Sequence, residues 1–395
     1  MAGPLQGLRV IDFTWVLSGP FCTMLLADMG AEVIKIERPG TGDTARNVGP
    51  FIDGVGSYFL SINRGKKSVV VDGKSEEGKR LLFELIRKGD VLVENFRPGA
   101  IEKMGFGYEE VKKHNPEIIY ASISGFGQSG PYRERPAYDM VVQGMGGAIS
   151  ITGEPNRPPV RVGFSIGDIG AGLFAAVAIL AALHERKVSG KGQRIDISMM
   201  DCMMAMAENA CARYFATGEV AKPLGGRHPV MTPLQVFPSK DGYVILGLAT
   251  DDQWVKFCQH IGRKDLAEDK RFKTNTLRTQ NHAALESILI EIMQTKTTDE
   301  WVEDMEKNGF VGGPINTIDR LVRDPQILVR GMVAEAEHKR LGKLKVVGSP
   351  LNLSRTPVHI GAASPDLGEH TEDILKQVLN LSEKEIESLK EKKVI

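Results

Sequence analysis

Short apolar runs and stretches of helical period take turns along the first half of this chain, and that exchange leaves few architectures open. Leu8 to Phe13, Glu32 to Glu37, Lys67 to Val71, Val91 to Glu94, Ile118 to Ser124 and Arg194 to Ser198 read as strands. Between them, Pro20 to Met29, Ser75 to Lys88, Glu109 to His114 and Ile169 to Arg186 read as helices; Ser75 opens the second, with acids in its first turn. Strands alternating with helices are joined by crossovers and lie parallel, and a parallel sheet is buried under helices. The expectation is an α/β fold with a large, doubly wound parallel-sheet domain.

At 395 residues the chain exceeds one ordinary core. Glycine and proline accumulate from Gly218 to Pro238, and a new strand opens at Tyr243, followed by charge-rich helical patterns. The expected division is a large domain over 1–224, a smaller α+β domain over 225–325, and a segment, 326–395, that returns to the first. The 50 acidic side chains balance 50 basic ones, which argues against a nucleic-acid binder or a membrane-surface protein. An anionic ligand must then be held by a local basic cluster. No basic stretch followed by an apolar run opens the sequence, so a cytoplasmic protein is expected. Cys22, Cys202, Cys211 and Cys258 are scattered, which supports neither a disulfide framework nor a metal site. The longest apolar run, Ile169 to Leu183, is shorter than the roughly 20 residues that cross a bilayer and reads as a core helix. The Met-rich stretch from Met199 to about Phe215 reads as one helix with methionine as core filler.

Three local patterns bear on chemistry. Gly125, Gly127 and Gly130 match a dinucleotide fingerprint after a strand, but Pro131, Tyr132 and Arg133 open no apolar helix, and the fingerprint needs a helix N-terminus for the pyrophosphate. Asp168 precedes the Ala-rich helix and reads on its local pattern as a helix N-cap. Gly163, Gly167, Gly170 and Gly172 surround it, which would let a bulky ligand approach the backbone, and the helix start would supply amides to an oxyanion. Finally, Arg38, at the carboxyl edge of the second strand, joins Lys66, Lys67, Lys74, Arg97 and Lys103 around later strands as a candidate phosphate site.

Many ordered segments, among them LLADMGAEVIKIERPGTGD, NRGKKSVVVD, GDVLVENFRPGA, NPEIIYASISGFGQSGPY, SGKGQRIDISMMD and LGEHTEDIL, resemble the class III CoA-transferase family. That family includes formyl-CoA and carnitine CoA-transferases and the 2-methylacyl-CoA racemases. The resemblance covers essentially the whole chain. It implies an aspartate nucleophile in GFSIGDIGAG, here Asp168. It places coenzyme A contacts on Leu17, Ser18, Arg38, Val71, Asp72, Gly73, Lys74, Asn95, Phe96, Arg97, Lys103, Arg135, Pro136, Ala137 and Tyr138. Coenzyme A is then a substrate and no tightly bound cofactor is implied. The resemblance also implies an interlocked homodimer, with a heteromer of homologues as the alternative. The racemase branch pairs His with Asp, and neither Ser165 to Asp168 nor Pro136 to Asp139 holds a histidine, so transfer is favoured over racemisation. A non-catalytic partner subunit is disfavoured because Asp168 is present. The segment Gly225 to Thr232 resembles members that use succinyl-CoA; within it Arg227 and His228 would pair with a second carboxylate of a dicarboxylic or aryl-substituted acid.

Overall fold

The computed structural model describes residues 3–395. Six strands form the main sheet: β1 (Arg9–Asp12), β2 (Glu32–Glu37), β3 (Lys66–Val70), β4 (Val91–Glu94), β5 (Ile119–Ser124) and β6 (Gln193–Ser198). All neighbours pair in parallel, in the order β3-β2-β1-β4-β5-β6. The order reverses between β1 and β4, so the loops leaving their carboxyl ends diverge and open a crevice.

Alternate residues of each strand feed separate cores because successive side chains point to opposite faces. Val10, Val33, Val91, Ile119 and Ile195 face one side, under α1 (Ser18–Asp28) and the long helix that supplies Ala171, Ala175 and Ile179. Ile11, Ile34, Val69, Leu92 and Tyr120 face the other, under α2 (Glu76–Arg87) and Ile374 and Val378 from a late helix. Ser75 caps α2, accepting from the Gly78 amide at 3.0 Å.

Further along lie α3 (Asp139–Met145), the long helix α4 (Ile166–Ser189) and α5 (Met199–Met206). The expected single helix from Met199 divides at Ala207, with Glu208–Thr217 following. Its methionines divide too: Met199 and Met203 are buried, whereas Met204 is 54% exposed, so core filling accounts for only some of them. The helix α4 has 24 residues, longer than the run read from sequence and long enough to cross a bilayer by length and composition, but half of its apolar window is buried inside the protein.

Two units separate: one holds residues up to Ala148 with Arg161–Phe215 and Pro325–Ile395, the other Ile149–Val160 with Ala216–Asp324. The short stretch Ile149–Val160 therefore groups with the second unit, where sequence placed it in the large domain. The second unit carries an antiparallel sheet of β7 (Leu234–Pro238), β8 (Tyr243–Gly247) and β9 (Val311–Pro314), packed with helices around Trp254, Phe257 and Trp301. The first unit ends with the helices α6 (Thr371–Leu379) and α7 (Glu383–Glu391), and α6 supplies Ile374 and Val378 named above.

Candidate active site

The loop from β1 to α1 is held from beneath by buried charge. Lys35, within β2, donates to the Thr14 carbonyl at 2.7 Å and pairs with Asp43 at 2.9 Å, both side chains being fully buried. The other oxygen of Asp43 accepts from the amides of Val16 (3.2 Å) and Ala45 (2.9 Å). Asp12 accepts from Thr14, Thr23 and Lys66; against the upward push of burial, Lys66 and Lys35 hold its carboxyl below the ordinary range. Val16, exposed and β-branched, sits at φ 65°, a conformation that costs free energy and persists only where its surroundings impose it.

From this loop Ser18, the first residue of α1, comes to line the same pocket as Asp168. Asp168 is not an N-cap. Helix α4 starts earlier than expected, with Ser165 at its N-cap position, so Asp168 falls in the first turn near the positive end of the helix. Burial, reinforced by the negative charge of Asp139 and opposed by the Ser18 hydroxyl, pushes its carboxyl up to about 7. Asp139, buried at the start of α3, accepts from the Gly167 amide at 2.9 Å and from Gln143 at 2.7 Å.

Two sequence expectations are narrowed here. The amides of Ile166, Gly167 and Ile169 are already bonded to Phe164, Asp139 and Ser165, so these three are not free to meet an oxyanion. Three of the glycines serve packing and not ligand approach. A Cβ on Gly172 would stand 2.7 Å from the Ser18 carbonyl, and one on Gly167 2.6 Å from Val142; Gly170 similarly abuts Met206. Of the four, Gly163 alone faces open space.

Asp168 opens into a pocket of about 170 Å³, lined by Trp15 to Ser18 after β1, Asn95 to Pro98 after β4, Ile123 to Gly125 at the end of β5, and Arg133, Arg135, Ala137 and Tyr138. It stands at the crevice where the strand order reverses. Pro136, expected as a contact, is not among its lining residues. The Arg97 guanidinium donates to the Glu134 carbonyl at 3.0 Å, tying together the two loops that wall the pocket. No histidine lines it among the described residues.

Trp15 and Phe96, in edge contact at 5.9 Å, also wall a second and larger cleft of about 1000 Å³. Arg38 lies over the Trp15 ring at 3.8 Å. Val71 to Lys74, Lys79, Lys103, Met104 and Lys393 complete its rim, a concentration of cations that the chain's zero net charge conceals. Lys66 and Lys67, read as members of this cluster, are not: Lys66 is buried on Asp12 at 3.0 Å, and Lys67 pairs with Glu32 at 2.7 Å. Sequence reading missed Trp15, Lys79, Met104 and Lys393 for the cleft and Asp139 for the nucleophile pocket; Lys393 carried no local signal at all. No helix follows Gly130 until α3, consistent with rejecting the dinucleotide fingerprint.

Arg227 and His228 belong to the second unit. Arg227 bridges to Gln235 of β7, while the His228 Nδ1 accepts from the amides of Val230 and Met231. That places the ring proton on Nε2 and makes His228 a turn-forming residue.

The family model for CoA-transferase family III matches residues 5–371. The succinyl-CoA:glutarate CoA-transferase of Mus musculus is 41% identical over 98% of this chain and 89% of its own length. The succinate–glutarate CoA-transferase of Agrobacterium fabrum is 38% identical over 95% and 96%. A CAIB/BAIF family protein from Brucella suis has the same fold, with a TM-score of 0.86 and 38% identity over 96% of this chain and 100% of that one. With an open parallel sheet, a carboxylate at its switch point and a cation-rimmed cleft beside it, the chain belongs to CoA-transferase family III and is a CoA-transferase.

Proposed function

We propose that the protein moves coenzyme A from succinyl-CoA to a short dicarboxylic acid through covalent intermediates on Asp168. The observation that carries this reading is the pairing of two cavities across one aromatic wall. The large cleft offers Arg38, Lys74, Lys103 and Lys393 to the adenosine phosphates, and the small pocket offers the Asp168 carboxylate to the thioester. Pantetheine would pass between them along Trp15 and Phe96.

In this scheme an Asp168 oxygen attacks the succinyl carbonyl carbon, the carbon–sulfur bond breaks, and the CoA thiolate leaves a mixed anhydride. The thiolate then attacks the aspartyl carbonyl and expels succinate, giving an aspartyl-CoA thioester. The acceptor carboxylate attacks that thioester and releases the thiolate, which takes the acyl group from the second anhydride and restores Asp168. No proton is consumed, so no separate acid or base is required, in keeping with a pocket lining that lacks histidine. Racemisation would need such a base.

The acceptor class rests on the glutarate-using relatives and on Arg227, whose forked donors suit a distal carboxylate. We also infer an interlocked homodimer. Leu173, Phe174, Val177 and Val188 on α4, with Phe164 and Phe215, leave large apolar side chains exposed, and such surfaces mark association. Light scattering should return twice the chain mass.

The decisive experiment is mass spectrometry of wild-type and Asp168→Ala protein after incubation with succinyl-CoA, glutarate and hydroxylamine. The reading expects an adduct or hydroxamate on Asp168 and new glutaryl-CoA from the wild type alone. Equal turnover by both proteins would sink it. Arg227→Ala should raise KM for the acceptor roughly tenfold with KM for succinyl-CoA unchanged.

A further inference from the structure

From Thr14 to Val16 the chain leaves β1 and enters the wall shared by both cavities, and side chains take up its peptide groups. The Thr14 amide donates to Asp12 at 2.8 Å, and the Thr14 carbonyl accepts from Lys35 Nζ at 2.7 Å. The Trp15 amide and carbonyl both pair with the side-chain amide of Asn95, each at 2.8 Å. The Val16 amide donates to Asp43 at 3.2 Å. Behind these contacts the Lys35–Asp43 ion pair closes at 2.9 Å, with neither side chain exposed. Asp43 is itself fixed, since it accepts from the Ala45 amide and its own amide donates to Glu37 at 2.9 Å. A buried ion pair is a weak source of stability, because the loss of hydration offsets the attraction. Its place beneath this turn calls for another account.

Val16 supplies that account. At φ 65° it holds a conformation that is costly for a β-branched residue and free for glycine. Its side chain is 42% exposed, so side-chain packing does not impose the turn. The peptide contacts on either side do: Asn95 grips the Trp15 peptide, Asp43 takes the Val16 amide, and Lys35 ties Asp43 to the Thr14 carbonyl. Resting on the transfer reading above, we propose that Lys35 and Asp43 are positioning residues of the reaction: their buried pair keeps Val16 left-handed. That turn sets Trp15 against Phe96 between the two cavities and carries Leu17 and Ser18 into the wall of the nucleophile pocket. Without the pair, Val16 relaxes to negative φ and the peptide after it swings. The thioester then no longer meets Asp168 in line for attack, although Lys74, Lys103 and Lys393 still grip coenzyme A at the rim of the large cleft.

Replacing both partners by apolar residues of comparable volume removes the hold on the turn without leaving a lone buried charge. Lys35→Met/Asp43→Leu should therefore fold and bind free coenzyme A within about threefold of wild type by calorimetric titration, while kcat for succinyl-CoA with glutarate falls roughly a hundredfold. Adding Val16→Gly to that variant should recover kcat roughly five- to tenfold, because glycine reaches positive φ without the steric cost of a side chain. In the wild-type background the same change should lower kcat, since it only loosens a turn already held. A loss of stability alone would not reverse sign in this way. If the double variant does not fold, Asp43→Asn, with and without Val16→Gly, carries the same comparison. Turnover within about threefold of wild type once the pair is broken, or a Val16→Gly that lowers kcat in both backgrounds, would overturn the proposal. A wild type that forms no glutaryl-CoA would overturn the transfer reading and this proposal with it.

Discussion

Asp168 is a carboxylate asked to be a nucleophile where water is scarce, and its surroundings pull two ways. Burial and Asp139 push it up to about 7 while Ser18 resists. Only the ionised form attacks, so the rate of the first half-reaction should fall about tenfold per pH unit below that value. The effect on stability has the opposite sense. The folded protein keeps a proton that the unfolded chain sheds at 3.8, so stability falls as pH rises from there to about 7. Asp168→Asn removes that loss, and calorimetry should find its melting temperature a few degrees above wild type at pH 8, with no difference near pH 3. The residue itself was legible as a carboxylate among glycines. Its environment was not, because Ser18 and Asp139 come from two other elements, and short stretches of sequence cannot show which elements meet.

The central strands β4 and β5 could be read because they are buried on both faces, the pattern of a parallel sheet covered by helices. The start of α4 could not. Each glycine costs a helix about 1 kcal/mol relative to alanine, so Gly163 to Asp168 reads as loop, yet close packing selects the helix from Ile166 onward. Gly172 shows why: with no side chain it lets α4 lie against the Ser18 carbonyl of α1. Alanine there would gain helix propensity and lose that fit. Gly172→Ala should destabilise the protein by about 1–3 kcal/mol in urea unfolding and also lower kcat, since any retreat of α1 displaces Ser18 in the pocket wall beside Asp168.

At the scale of the whole molecule, the basic cluster was legible as a need, from the zero net charge, but only partly as a membership. Arg38, Lys74 and Lys103 reach the cleft; Lys66 and Lys67 are taken by Asp12 and Glu32. Lys393 enters because the chain comes back: the Val394 carbonyl accepts from the Asp72 amide at 2.7 Å, and Lys392 pairs with Glu77 across 315 residues. Lys393→Glu should raise KM for succinyl-CoA roughly tenfold and leave kcat within about twofold, as steady-state kinetics would record. The return also sets a schedule. A ribosome delivers the sheet, the nucleophile and the whole of the second unit before it delivers Lys393, so a nascent chain carries a finished carboxylate long before it has a finished rim to grip coenzyme A.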